Sequence, residues 1–195
     1  TGSDAVNNYN NESLGVHTIA NDTGTFENIV RSTNRRWKGV VLSNAGVARP
    51  WSEKLAASLD KRIEARSGRK PSAHYTSRGI VLEIDDQLAT RRRTEGETMQ
   101  MKGGFEGLKY KNGVVLEGDF CPKGQWYACN FDKEIAGTVD LVKMGFVDLD
   151  GARLHRIEGR HAYRADLWCP HNVIIFLASA WGRIADLIDD NTIVR

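Results

Sequence analysis

The hydrophobic pattern of the chain changes period once, near Gly103-Gly104, and that switch limits the fold more than any other feature. Before it, apolar residues recur at helical spacing. Over 50–66, Leu55, Leu59 and Ile63 repeat every four residues with Ala56 and Ala57 beside them, which predicts a helix with one apolar stripe. Pro50 fits its first position, where a missing N–H costs nothing, and Gly68 fits a left-handed stop. A second helix is predicted over 78–93, with Val81, Ile84 and Leu88 on one side. Arg91, Arg92 and Arg93 occupy its last turn, where positive charge complements the helix dipole. Between the helices, 71–76 reads as a short extended piece in which Ala73 and Tyr75 alternate.

After the switch the chain reads as strands and turns. Residues 108–110 lead into Asn112-Gly113, a hairpin signal, and 114–116 continues as a strand. Another strand is predicted over 125–130, after a turn at Pro122-Lys123-Gly124. Residues 162–169 alternate apolar with polar, and 173–177 reads as a buried strand. Asp22-Thr23-Gly24-Thr25 is a further turn. Helices first and strands later, with no internal repeat, predict an α+β architecture and not a doubly wound sheet.

At 195 residues the chain has room for one large domain or two small ones. A formal charge of +2 demands no acidic partner. The longest apolar run, 173–178, is far short of the ~20 residues of a membrane span. Residues 1–13 are too polar to pack and are expected to form an extended or mobile arm, with order beginning near Leu14-Gly15-Val16. They also lack the basic start and apolar stretch of a signal peptide, and the opening Thr1-Gly2-Ser3 fits a processed product or an excised piece. Three cysteines do not make a disulfide framework, and folding in a reducing cytosol is expected.

Chemistry has few candidates. Cys121, Cys129, Cys169 and His171 are an acceptable tetrahedral zinc set by residue type, but Cys-x7-Cys followed far away by Cys-x-His fits no ribbon or finger. Buried apolar thiols are the preferred reading. A Cys169–His171 nucleophile pair has Pro170 between its members and no recognisable orienting carboxylate. No phosphate-binding loop, dinucleotide fingerprint or metalloprotease helix is present. Asp85-Asp86 and Asp189-Asp190 are adjacent pairs that diverge, and both read as solvated surface. Arg35-Arg36 and Arg91-Arg92-Arg93 could touch phosphate, with helix-end charge or salt bridging as the plainer alternative. Trp37, Trp51, Trp126, Trp168 and Trp181 are expected in the core for the most part, with one or two as subunit anchors.

Four segments, taken in order, carry a resemblance to a known family. Thr23-Gly24-Thr25 is followed by Ile29, Arg31-Ser32-Thr33 and Trp37, with Asn28 where the pattern often has Gly. Next come the Leu55-to-Ile63 stripe with Gly68, Pro71 and Thr76, then the helix ending Arg91-Arg92-Arg93, which lacks the usual initial Tyr. The most specific is 105–130, where Gly113, Val115, Asp119, Cys121, Pro122, Gly124, Tyr127 and Asn130 fall in place and Val114 replaces a Pro. This series, over roughly residues 14 to 180, resembles the C-terminal portion of tailed-phage major capsid proteins of the Hong Kong 97-type fold.

The resemblance implies an α+β capsid fold with an axial domain and part of a peripheral domain. Residues 1–13 would be the arm, 14–145 mostly axial domain, 146–172 peripheral-domain strands, and 173–195 the return into the axial domain and the C-terminus. Gly113 and Gly124 would permit tight reversals while Asp119 and Pro122 shape the loop. The implied function is assembly: copies of the chain form pentamers and hexamers of an icosahedral head through head-to-tail contacts of about 2,000 Å² or more per subunit. The implied place is the virion, assembled in the bacterial host cytoplasm, with weak nonspecific contact to packaged DNA, no membrane, no catalytic residue, no metal and no cofactor. An encapsulin-like compartment shell shares the fold and is the nearest alternative, and a zinc-binding module or hydrolase is the distant one. The family's preceding arm, extended loop and spine helix are not recognisable in residues 1–13, so the chain is expected to be a piece whose assembly alone is in question, and a Lys–Asn cross-link cannot be assigned.

Overall fold

The computed structural model describes residues 15–91, 98–100, 106–111, 113–140, 145, 146, 148, 153–168 and 171–189. They fall into two compact units, Thr1–Gly137 with Ile175–Arg195, and Thr138–Ile174. In chain order the first unit holds α1 (Val16–Ile19), β1 (Thr25–Phe26), β2 (Ile29–Val30), a 3-10 turn at Arg35–Trp37, β3 (Val40–Leu42), α2 (Glu53–Ser67), β4 (Ala73–Thr76) and α3 (Arg78–Arg91). There follow β5 (Thr98–Gln100), β6 (Glu106–Tyr110), β7 (Gly113–Glu117) and β8 (Trp126–Cys129). The chain leaves along β9 (Ala136–Asp140) and, after β10 (Gly145–Phe146), β11 (His155–Arg156), β12 (Tyr163–Arg164) and β13 (Leu167–Trp168), returns along β14 (His171–Ile175). A 3-10 turn at Ala178–Ala180 and β15 (Gly182–Ile184) close it.

The centre of the first unit is a seven-stranded mixed sheet in the order β3-β15-β8-β4-β7-β6-β5. The strand nearest the C-terminus is inserted between two early ones: β15 runs parallel to β3 (Ile184 opposite Leu42) and antiparallel to β8 (Ile184 opposite Trp126). β4 joins β8 antiparallel and β7 parallel. One face carries Val40, Leu42, Val115, Trp126, Ala128 and Ile184, which form a continuous core with Leu59, Ile63, Ile80 and Ile84 of the two helices. On the other face, Tyr127 of β8 accepts or donates a 2.7 Å hydrogen bond with His17 of α1.

α2 begins three residues later than the sequence predicts. Ser52 is its N-cap, in extended backbone, and its hydroxyl accepts from the Leu55 N–H at 3.3 Å. Pro50 is therefore outside the helix. Ala56, Leu59 and Ile63 are the buried stripe, Leu55 lies at its margin, and Gly68 ends the helix at φ +72° as expected. α3 is described as far as Arg91; Ile80 and Ile84 are buried apolar residues of it, Val81 is half-buried, and Arg92 and Arg93 lie outside the described residues, as does the side chain of Leu88.

Two hairpins differ from expectation in detail. β6 and β7 are paired antiparallel with Tyr110 opposite Gly113, so Gly113 belongs to the strand and not to the turn. Its lack of a side chain serves close approach: a Cβ there would lie 3.0 Å from the Ser72 carbonyl oxygen. Between β1 and β2, Glu27 and Asn28 have φ of +49° and +62°, the two-residue primed turn that favours Asn. Asn28 thus occupies a left-handed position that a Gly would also suit.

In the second unit, β10 pairs antiparallel with β13 and β11 with β12. The single strand predicted over 162–169 is two short ones, β12 and β13, in separate sheets. The alternation there does not mark a buried face, because Tyr163 and Leu167 are both exposed. β9 and β14 form a two-stranded sheet of their own. The strand predicted as buried over 173–177 ends at Ile175; only Ile175 is fully buried, and Phe176 is exposed. Residues 1–13 lie outside the described residues.

Candidate assembly site

The loop joining β7 to β8 is the most firmly built exposed feature of the first unit. Gly118 opens it. A Cβ at this position would fall within 2.2 Å of the Tyr75 ring, so any side chain here would have to push that aromatic aside. Its N–H donates to the Thr76 carbonyl at 3.0 Å, and the Cys121 N–H donates back to the Gly118 carbonyl at 3.0 Å. The Thr76 hydroxyl donates to the Gln125 carbonyl at 2.8 Å. Gly124 turns the chain at φ +69°, where a side chain would press on the Leu187 carbonyl 2.8 Å away. Asp189 then holds the loop: its carboxylate accepts from the Ser77 hydroxyl at 2.5 Å and from the Gly124 N–H at 3.0 Å. Leu187 adds an N–H donated to the Gly124 carbonyl at 3.0 Å.

These fastenings hold Phe120 at 87% exposure, with exposed Asp119 and Lys123 on either side. An ordered loop presenting a bare aromatic between opposite charges is sterically specific. It suits recognition of another surface. Asp189 was expected on the solvated surface; it is instead a loop clamp, because two donors converge on it. Asp190 lies outside the described residues, while Asp85 and Asp86 are exposed as expected.

Cys121 and Cys129 are free and buried, and desolvation pushes the Cys121 thiol up to about 12 and raises Cys129 as well. Both are thiols, not thiolates, at neutral pH. Cys169 lies outside the described residues and His171 is described in its backbone alone, so the zinc set and the Cys–His pair both lie outside what the structure describes; among the described residues no group of three such ligands converges.

One buried polar cluster went unread in the sequence. His74, 2% exposed, packs against Trp126 and Tyr110 with ring centroids 5.1 Å away in each case. Its Nε2 is 3.9 Å from Asp60, which also meets Lys111 at 3.5 Å. Burial, reinforced by the Lys111 charge, lowers His74 to about 4, and burial raises Asp60. A cavity of about 200 Å³ adjoins these groups. Tyr110 brings the one hydroxyl among its lining residues, a phenol whose pKa burial raises further, and the neutral imidazole is a core side chain. Only an odd-spaced histidine in an otherwise apolar strand could have signalled it.

Of the tryptophans, Trp51, Trp126 and Trp181 are core residues and Trp37 is half-buried against Phe26 at 5.9 Å; the Trp168 side chain lies outside the described residues. The exposed aromatics are Phe120, Phe131, Phe146, Tyr163 and Phe176. Arg35 and Arg36 are exposed on their 3-10 turn. Arg31, in contrast, is buried: it donates to the carbonyls of Asn21 and Thr18 (2.6 Å to the latter) and lies 4.8 Å over the Phe26 ring.

No protein-family model matches the sequence, and no curated protein matches it either. Solved structures do. The capsid asymmetric unit of cyanophage A-1(L) superposes with a TM-score of 0.62 at 16% identity, covering 90% of this chain and 60% of that one. An encapsulin complex from Synechococcus elongatus gives 0.49 at 15% identity, over 79% and 58% of the two chains. A phage-related protein from Bordetella bronchiseptica gives 0.42 at 10%, over 75% and 55%. The chain spans less than two thirds of the length of each. With the cyanophage superposition running over nine tenths of its length, the chain has the α+β Hong Kong 97-type fold of phage major capsid proteins.

Proposed function

We propose that this chain is part of the shell-forming subunit of a phage head, a structural protein and not an enzyme. The observation that carries the reading is the fold shared with a capsid asymmetric unit over 90% of the chain. The rigid Phe120 loop supports it, since a fastened, bare aromatic is what a repeated subunit contact needs. In this reading copies of the chain close into pentamers and hexamers through head-to-tail contacts, the shell encloses DNA, and the protein resides in the virion after assembly in the host cytoplasm. The first unit would act as the axial domain and the second as part of the peripheral one.

Negative-stain imaging of the protein, expressed with the reading frame that contains this chain, tests the proposal. Uniform closed shells are expected. Small monodisperse particles under all conditions would defeat it, and shells holding protein cargo in place of DNA would assign the chain to a bacterial compartment instead. Phe120→Ser should lower shell yield several-fold without moving the thermal midpoint, because the side chain is 87% exposed.

A further inference from the structure

We infer that the groove between the Arg35–Trp37 turn and α2 binds a phosphodiester backbone. The groove has a volume of about 280 Å³, and its walls are Asp22, Arg35, Lys38, Arg62, Ala65 and Arg66, with 39–41 between them.

Its shape follows from two residues. Gly39 runs against the 20–21 backbone, where a Cβ would sit 2.8 Å from the Asn21 carbonyl, and its N–H donates to that oxygen at 2.9 Å. Arg66 draws the last turn of α2 onto the same segment, donating through Nη1 to the carbonyls of Lys38 at 3.2 Å and Gly39 at 3.0 Å. Arg62 is four residues earlier on α2 and so on the same side of the helix. Two cations at that spacing repel, a cost that a bound anion removes. Ala65 lies beside both and adds no bulk.

Charge decides what fits. Four cations and one carboxylate line the groove of a chain whose formal charge is only +2. Arg35, Lys38 and Arg62 have no ion pair with any described residue. A lone carboxylate or phosphate would be outnumbered, whereas one nucleic-acid strand presents a charge about every 3.4 Å. Three of the four cations are arginines, whose planar fork matches phosphate oxygens better than a lysine does. The inference deepens the shell reading by naming a partner for one face, and rests on it only for the source of the nucleic acid.

The test is the affinity of the whole, unassembled chain for a short fluorescent duplex, followed by anisotropy from about 50 to 200 mM salt. Arg35→Glu with Arg62→Glu should weaken binding roughly tenfold or more, and flatten the log–log salt slope by about two, one for each phosphate left unneutralised. Lys54→Glu with Lys133→Glu, equal in charge change and outside the groove, should do neither. Should the reversed pair fail to fold, Arg35→Gln with Arg62→Gln carries the same expectation. Unchanged affinity, an equal loss in the charge-matched control, or tighter binding of polyglutamate than of DNA would each overturn the inference. Imaging the same preparations for shells judges the shell reading separately, since DNA binding and particle formation are read from different measurements.

Discussion

His74 shows how a single buried side chain makes this fold sensitive to acid. In the unfolded chain it titrates near 6.5, and in the native sheet it stays neutral to about 4. Between those values the unfolded state binds the proton that the native state refuses. The contribution is therefore complete above about pH 6.5 and is lost as pH falls toward 4. Asp60, whose folded pKa is raised, works in the opposite sense and offsets a part at the acidic end. The charge of Lys111, which meets Asp60 at 3.5 Å, adds to the burial that keeps the imidazole neutral. Urea unfolding should give about 2 kcal/mol less stability at pH 5 than at pH 7.5. His74→Phe, which keeps a ring between Trp126 and Tyr110, should flatten that slope; equal slopes in the two proteins would show that the imidazole is not the titrating group.

At the scale of elements, α2 was legible because its signals are local, and the sheet was not. The four-residue repeat of Leu59 and Ile63 and the glycine at 68 lie within one segment, so periodicity found the helix. Its start was misplaced because Pro50 and Ser52 are both good starting residues, and the Ser52 hydroxyl bond to Leu55 decides between them. The order β3-β15-β8-β4 rests on partners 50 or more residues apart, about which periodicity is silent. The loop clamp at Asp189 is hidden for the same reason, since Ser77 and Gly124 reach it from distant segments. The glycine and proline landmarks between 113 and 124 did report the fold, because they mark close approaches that any chain with this backbone must make. The helix supplies its own test. Leu59→Ala, at a fully buried position against β15 and β3, should cost about 2–5 kcal/mol, and Ser52→Ala only about 1. Chemical denaturation of both variants measures the contrast, and comparable losses would mean that α2 is held by its cap and not by its packed face.

At the scale of the whole molecule, the second unit exposes apolar side chains that call for a covering surface. Of the residues of this unit whose side chains are described, none is fully buried, and Phe146, Leu154, Ile157, Tyr163 and Leu167 are all exposed. Phe146 and Leu167 stand directly opposite each other in the β10–β13 ladder, at 57% and 59% exposure, so their apolar surface forms one cross-strand patch. Short two-stranded pairs are marginal in water unless a further surface covers them, and in the proposed shell neighbouring copies would supply such a surface. Under that account the patch contributes to assembly and little to the folding of the first unit. Phe146→Ser with Leu167→Ser should therefore reduce the yield of closed particles by about tenfold or more, the effect expected when an interface loses two apolar anchors, and leave the thermal midpoint of the first unit within about 2 °C. Sedimentation separates particles from free subunits, and near-ultraviolet circular dichroism follows the buried Trp126 and Trp181 of the first unit. Unchanged particle yield would mean that the patch stays bare in the shell, and a large fall in the first unit's midpoint would mean that the two residues act in folding and not between copies.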